Sequence, residues 1–289
     1  MSYQIITDAT ADLTEELLTG LPFLEIIPME VNIGSMTHSY GPSGTITPQK
    51  FYELLKDGKF ASTTQINPDT YTRCFEKYLK KGVDVLYLCF SSGLSSTICS
   101  AEMSIIELQE QYPGRKILCV DTLAAAPGEG LLVRTALEKQ SAGMGLEELV
   151  QWITEHRLKL CHWVTVDTLT YLHHGGRVSS SSAAMGTLLQ IKPVLHMNES
   201  GHLEATEKPR GRKKATRLIV KKLEEGWDPL ISNTIFIGHG DDLAGAQELQ
   251  SMVLECYPNA DIHIVQIGPV IGAHTGPGVL TVFYWGDNR

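Results

Sequence analysis

The 289-residue sequence predicts an α/β protein built from two α/β domains, and three observations carry that expectation. Strand-like and helix-like segments alternate through the first half. One of them, "VDVLYLCF" at 83–90, is almost wholly apolar, as a strand buried on both faces of a parallel sheet must be. Further on, the turn-like "NESG" at 198–201 separates two extended segments, which predicts an antiparallel hairpin. The first domain, 1–159, should therefore hold a doubly wound, mainly parallel sheet. The second, 160–289, should hold a mixed one, with the boundary where a charged helix gives way to a new strand.

Taken in order, "YQIITDAT" reads as a strand, and "ADLTEELL" as a helix with Asp12 and Glu15 spaced like a capping box. "FLEIIPMEVNI" is extended. "TPQKFYELLKDG" is a short helix with Thr47 as N-cap, Pro48 at the first helical position and Gly58 past its end. "NPDTYTRCFEKYLKKG" repeats that grammar with Asn67 and Pro68. After the buried strand at 83–90 come a helix in "SSTICSAEMSIIELQEQYPG", a strand in "RKILCVDT", and helices within "GEGLLVRTALEKQ" and "LEELVQWITEHRL". The second half offers strands in "CHWVTVDT", "KPVLHMN", "HLEATEKPR", "TIFIGHG" and "DIHIVQIG". Helices are expected in "KKATRLIVKKLEEG" and "DDLAGAQELQSMVLECYP", and "SSSS" at 179–182 reads as a polar turn or helix entry.

A net charge of −9 argues against a general nucleic-acid binder, which needs a basic surface to neutralise phosphates. The opening "MSYQIITDATADL" lacks the basic start of a secretory signal, and no run approaches the roughly 18 apolar residues of a spanning helix. Six scattered cysteines form neither zinc spacing nor a disulfide framework. Reduced thiols in a cytoplasmic protein are the expectation.

In open parallel sheets, ligands bind beyond the carboxyl ends of the strands. Three polar segments are expected near that edge: "TDATADL" (7–13), "ASTTQINP" (61–68) and "SSGLSST" (91–97). The third follows a buried strand and enters a helix, so its hydroxyls and free N–H groups suit an anion. Each alone is well explained as an N-cap; together they lean toward a site for a carboxylate or phosphate. Four glycines in "GPVIGAHTGPG" (268–278) would let a loop carrying His274 pass close to a ligand. No nucleotide-binding glycine motif is present, nor a short-spaced set of metal ligands, so neither a metal nor a cofactor is expected. "GLSST" only partly matches the nucleophile elbow of serine hydrolases, since Thr97 stands where a glycine belongs. That leaves a hydrolase using Ser95 and His274, with Asp241 between them in chain order, as the alternative reading. "KPRGRKKATR" (208–217) places Arg210 and Arg212 at a helix start, where cations oppose the macrodipole, and this points to an anionic partner.

Together "TDATADL", "STTQINP", "SSGLSST", "VDTLTYLHHGGRVS", "KPRGRKKA" and "IGPVIGAHTGPG" resemble, in order, the motifs of the DegV family across essentially the whole chain. The resemblance implies two α/β domains with one long-chain fatty acid held between them, and no ATP site of the chain's own. It also implies a separate ATP-dependent kinase subunit that phosphorylates the presented carboxylate, and it is compatible with transient contact with a membrane. Carried over by motif, Thr63, Ser95 and His274 would hold the carboxylate. Asp8, Thr64, Ser91, Ser92, Gly93, Gly272 and Thr275 would shape the supporting loops, and Arg177, Arg210 and Arg212 would serve the phosphate or the partner. The chain departs from the family pattern at Ala9, Thr64, Ile66, Asn67 and Ser96, all beside the proposed clamp residues rather than at them.

Overall fold

The computed structural model describes residues 3–56, 58–178 and 190–289; the "SSSS" segment lies outside them. Four parallel strands form the first sheet: β1 (Tyr3–Asp8), β2 (Glu25–Ile27), β6 (Asp84–Cys89) and β7 (Ile117–Asp121), in the order β2-β1-β6-β7. The order reverses between β1 and β6, so a crevice opens beyond Asp8 and Cys89, where open α/β sheets bind ligands.

Alternation along these strands sends neighbours to opposite faces. Ile6, Val85 and Tyr87 pack on α2 (Pro68–Leu79) and α3 (Thr97–Gln111). Ile5, Leu86 and Leu88 share a core with α4 (Ala126–Ser141) and α5 (Leu146–His156). Helices on both faces make the sheet doubly wound, as predicted. At the start of α2 the Asn67 side chain accepts from Thr70 N, and α1 (Pro48–Lys56) is capped by Thr47 through Lys50 N.

The second sheet is mixed. Its strands are β8 (Leu160–Thr165), β9 (Val194–Met197), β10 (Leu203–Glu207), β11 (Thr234–His239), β12 (Asp261–Gln266) and β13 (Leu280–Trp285). They run β10-β9-β8-β13-β11-β12, with only the β11/β12 pair parallel. The β9/β10 hairpin matches the expectation from "NESG". One face packs on α7 (Arg212–Gly226) and α8 (Leu243–Cys256). The other, through Leu160, Val164, Phe236 and Phe283, joins the core containing α4, so this helix lies between the two sheets. A short α6 (Thr170–His174) follows β8. No helix among the described residues is long and apolar enough to cross a membrane.

Four features differ from the sequence reading. "ADLTEELL" is not a helix: Ala9–Ala11 and Glu16–Leu18 are separate 3-10 turns, and Asp12 lies between them at φ 50°. The Asp12 carboxylate, assigned to a capping box, instead accepts from Gly268 N (3.0 Å) and Tyr40 OH (3.1 Å). "GPVIGAHTGPG" is not a loop but contains α9 (Pro269–Thr275), which Pro269 starts and Gly276, at φ 75°, stops. "ASTT" forms β5 (Ala61–Thr64), an edge strand of a third, antiparallel sheet with β3 (Met29–Ile33) and β4 (Met36–Tyr40). Finally β13, to which the sequence reading assigned no strand, is fully buried in the middle of the second sheet.

The loop after β6 meets the β9/β10 turn directly. Ser91 Oγ donates to Gly201 O at 2.8 Å, and a Cβ on Gly93 would stand 2.5 Å from the Gly201 backbone. Rigid backbone cannot yield as a side chain would. We therefore expect Gly93→Ala to cost about 1–3 kcal/mol, beyond the few tenths gained by stiffening the unfolded chain. Calorimetry should record a fall of several degrees in Tm; an unchanged Tm would show that the two segments separate freely.

Candidate functional site

A cavity of about 160 Å³ opens between the crevice of the first sheet and the inner face of the second. That is space on the order of ten waters, far beyond the single-water voids of a packed core. Most of its wall is apolar, with Met29, Phe90, Leu94, Val164, Met197 and Phe283 contributing. Polar groups gather at one end, where Thr63, Thr64, Ser95, Arg177, His274 and Thr275 meet.

The centre of this cluster is a hydrogen bond of 2.9 Å between Thr63 Oγ1 and His274 Nε2. Edge strand β5 supplies the threonine and α9 the histidine. Thr63 is half-buried opposite Val31 of β3, with its side chain turned to the cavity. His274 Nδ1 has no partner and presses on the Gly175 backbone, where a Cβ would collide with the ring. Only glycine at 175 admits the imidazole there.

Burial pushes the His274 pKa down to about 4, and the nearby positive charges of Arg177 and His174 push in the same direction. The ring is therefore neutral at pH 7 and carries one hydrogen. With that hydrogen on Nε2, donated to Thr63 Oγ1, the unpartnered Nδ1 is an acceptor and the Thr63 hydroxyl hydrogen is released toward the cavity. The other tautomer would bury an unpaired N–H and consume the Thr63 donor, so the first is the less costly arrangement.

Ser95 lies at the entry to α3, and its Oγ accepts from Thr97 N at 3.2 Å, leaving its own hydrogen to donate. Arg177 follows α6. Its Nε donates to Leu94 O at 3.0 Å and its Nη1 to Gly175 O, which holds the guanidinium beside the cluster. Burial lowers the Arg177 pKa from its usual range, but an arginine still keeps its proton. The end of the cavity thus presents hydroxyl donors and one fixed cation to an anionic head, with an apolar wall behind.

The remaining sequence-predicted residues stand back from the wall. Asp8 is fully buried; it caps Thr10 N at 3.0 Å and accepts from Tyr87 OH at 2.8 Å. Ser91 and Gly93 hold the β9/β10 turn, and Ser92 N donates to Asp121 Oδ1. Gly272 admits the rings of Phe51 and Tyr52. Arg210 is exposed at a bridge to Ile191, and Arg212 pairs with Asp242 at 2.7 Å. Asp242 also caps α8 through Gly245 N.

The hydrolase alternative gains no support. His274 Nε2 is occupied by Thr63, Ser95 Oγ faces Thr97 N, and Asp241 pairs with Lys56 at 2.5 Å. A base without an orienting carboxylate on Nδ1 is not a triad. Sequence reasoning missed His162, Gln65 and the apolar wall, because a cavity wall and a packed core draw on the same residue types.

Comparison with known proteins places the chain in a family and a fold. The family model described as "Uncharacterised protein, DegV family" matches residues 2–287. A DegV domain-containing protein of Clostridium perfringens is 41% identical, covering 99% of this chain and 98% of its own length. A fatty-acid-binding DegV family protein of Thermus thermophilus superposes with TM-score 0.85 at 29% identity, covering 99% of this chain and all of its own. The Streptococcus pneumoniae fatty acid kinase B3 protein, solved with linoleic acid, has TM-score 0.87 at 23% identity over 99% of this chain and 100% of its own, a likeness of fold. With the family match running nearly end to end and a relative this similar over its whole length, the chain belongs to the DegV family.

Proposed function

We propose that this chain binds one long-chain fatty acid, its carboxylate held by the Thr63 and Ser95 hydroxyls, with His274 aligning the Thr63 hydroxyl for it, and its acyl chain laid along the apolar cavity. The observation that carries the reading is an apolar cavity ending in uncharged donors beside a single arginine. Fatty acids bound by relatives of the same fold support it. We further propose that the chain is a binding subunit rather than an enzyme, presenting the carboxylate to a separate ATP-dependent kinase in the cytoplasm. Arg177, with Arg210 and Arg212 on the outer surface, would then serve the phosphate or the partner. On this reading 1–159 and 160–289 are two domains that hold the ligand between them.

Lipid extracted from the purified protein should contain a long-chain fatty acid by mass spectrometry. Palmitate or oleate added to the stripped protein should raise its Tm, since a hundredfold excess over Kd stabilises by about 2.7 kcal/mol. No lipid and no shift would end the proposal.

His274→Ala should keep the fold while weakening carboxylate retention roughly tenfold or more, the usual loss with one buried hydrogen bond. Unchanged Kd and unchanged kinase-dependent turnover would remove His274 from the clamp.

A pH signature follows from the same ring. Because His274 titrates at about 4 when folded and near 6.5 when unfolded, the unfolded chain takes up its proton first as pH falls. Its contribution is complete above about pH 6.5 and is lost as pH falls toward 4, by roughly 3 kcal/mol at most. Denaturant melts of wild type and His274→Gln across this window should converge or cross toward acid pH. A constant difference would contradict the buried neutral ring.

A further inference from the structure

We propose that Tyr71 is a positioning residue for the ligand head: a chain of buried hydroxyls runs through it from Asp8 and turns the Ser95 hydroxyl toward the carboxylate. This rests on the fatty-acid reading above and adds to its machinery a residue outside the cavity wall.

Asp8, Tyr87, Tyr71 and Thr97 are all fully buried. Asp8 Oδ2 lies 2.8 Å from Tyr87 OH, Tyr87 OH 2.9 Å from Tyr71 OH, and Tyr71 OH 2.9 Å from Thr97 Oγ1. The four residues come from β1, β6, α2 and the first position of α3. Each contact needs one hydrogen, and each hydroxyl has one to give. The direction of the whole chain is therefore set by the state of Asp8.

Asp8 is the ionised member of its acid pair. Its carboxylate meets two backbone amides, Thr10 N at 3.0 Å and Phe90 N, besides the hydroxyls of Thr10 and Tyr87. Glu129 meets the hydroxyls of Thr7 and Thr10 alone. The fuller set of donors, backbone amides included, favours the charge on Asp8. With the Thr10 hydrogen given to Asp8, the 2.7 Å contact between Thr10 Oγ1 and Glu129 Oε2 holds a hydrogen only if Glu129 supplies it. The proton of the pair thus sits on Glu129. Tyr87 then donates to Asp8, Tyr71 to Tyr87, and Thr97 to Tyr71.

The far end of the chain bears on Ser95. Tyr71 anchors the Thr97 side chain, and the Thr97 amide donates to Ser95 Oγ at 3.2 Å. An oxygen held by that amide keeps its own hydrogen for the cavity that Ser95 lines. The rings leave little slack. Tyr71 and Tyr87 pack with centroids 5.2 Å apart, and Phe75 lies 5.6 and 5.7 Å from them. Removing the Tyr71 hydroxyl frees the Thr97 hydroxyl to turn, and Ser95 loses its fixed aim, an ordering cost then met at binding.

The experiment measures palmitate dissociation constants for the delipidated full chain as wild type, Tyr71→Phe, Ser95→Ala and the double variant. Ser95→Ala should weaken binding about tenfold and Tyr71→Phe about three- to tenfold, with the double variant no weaker than Ser95→Ala alone. In complexes saturated with palmitate carrying a carbon-13 carboxyl, the carboxyl NMR signal of Tyr71→Phe should move from the wild-type position toward that of Ser95→Ala. Losses that multiply in the double variant would overturn the inference while leaving the fatty-acid reading intact. So would an unmoved carboxyl signal in Tyr71→Phe, or wild-type affinity in Ser95→Ala. A wild type that binds no palmitate fails the fatty-acid reading itself. Should Tyr71→Phe not fold, Thr97→Val removes the other end of the same hydrogen bond and takes its place, with the same expected and contrary outcomes.

Discussion

The Thr63–His274 hydrogen bond joins residues 211 positions apart, and the geometry at the head of the cavity depends on it. It can form only if β5 lies at the edge of its small sheet and α9 stands beside it. Those two conditions are met by contacts that never touch a ligand. Asp12 receives the Gly268 amide at the start of α9, Gly272 lets that helix settle on Phe51 and Tyr52, and Gly175 leaves space for the imidazole. Each removes a degree of freedom before any ligand arrives, which lowers the ordering cost of binding.

The electrostatics of the site favour a held but exchangeable head group. A buried ion pair would cost desolvation of both partners, and removing one partner would strand the other. Here the donors are hydroxyls and a neutral imidazole, with the arginine already bound to two carbonyls. The same arginine contributes to keeping His274 unprotonated, so the ring donates a single hydrogen and repels no cation of its own.

Beneath the crevice, the fold tolerates an unusual burden of buried acids. Asp8, Asp12 and Glu129 are all buried, and burial raises the pKa of each, that of Asp12 to about 8. Thr10 Oγ1 stands against both the Asp8 and Glu129 carboxyls. One hydroxyl hydrogen cannot serve two carboxylates, so a proton resides on the pair. This network continues through Tyr87 and Tyr71 to Thr97, two residues from Ser95, and so fixes the start of α3 from below. Raised acid pKa values favour the folded state at low pH, opposite in sign to the His274 effect.

The sequence by itself determined the local grammar and the family motifs. Alternating strands and helices, the Asn67 and Thr47 caps, and the hairpin at "NESG" are set by neighbours within a few residues, and the structure reproduces them. Thr63, Ser95, Arg177 and His274 were legible as a group through motif order, and all four line one cavity. Tertiary structure decided what depends on distant partners. Asp12 left its capping box because Gly268 and Tyr40 offered it buried donors, and "GPVIGAHTGPG" became a helix because Asp12 and the α1 rings support its start and its side. Only the assembled sheets could separate cavity wall from core. Phe283 and His162 sit in strands buried at every position, like any central strand of a covered sheet, and facing the cavity rather than a packed neighbour is a property of the space between the sheets.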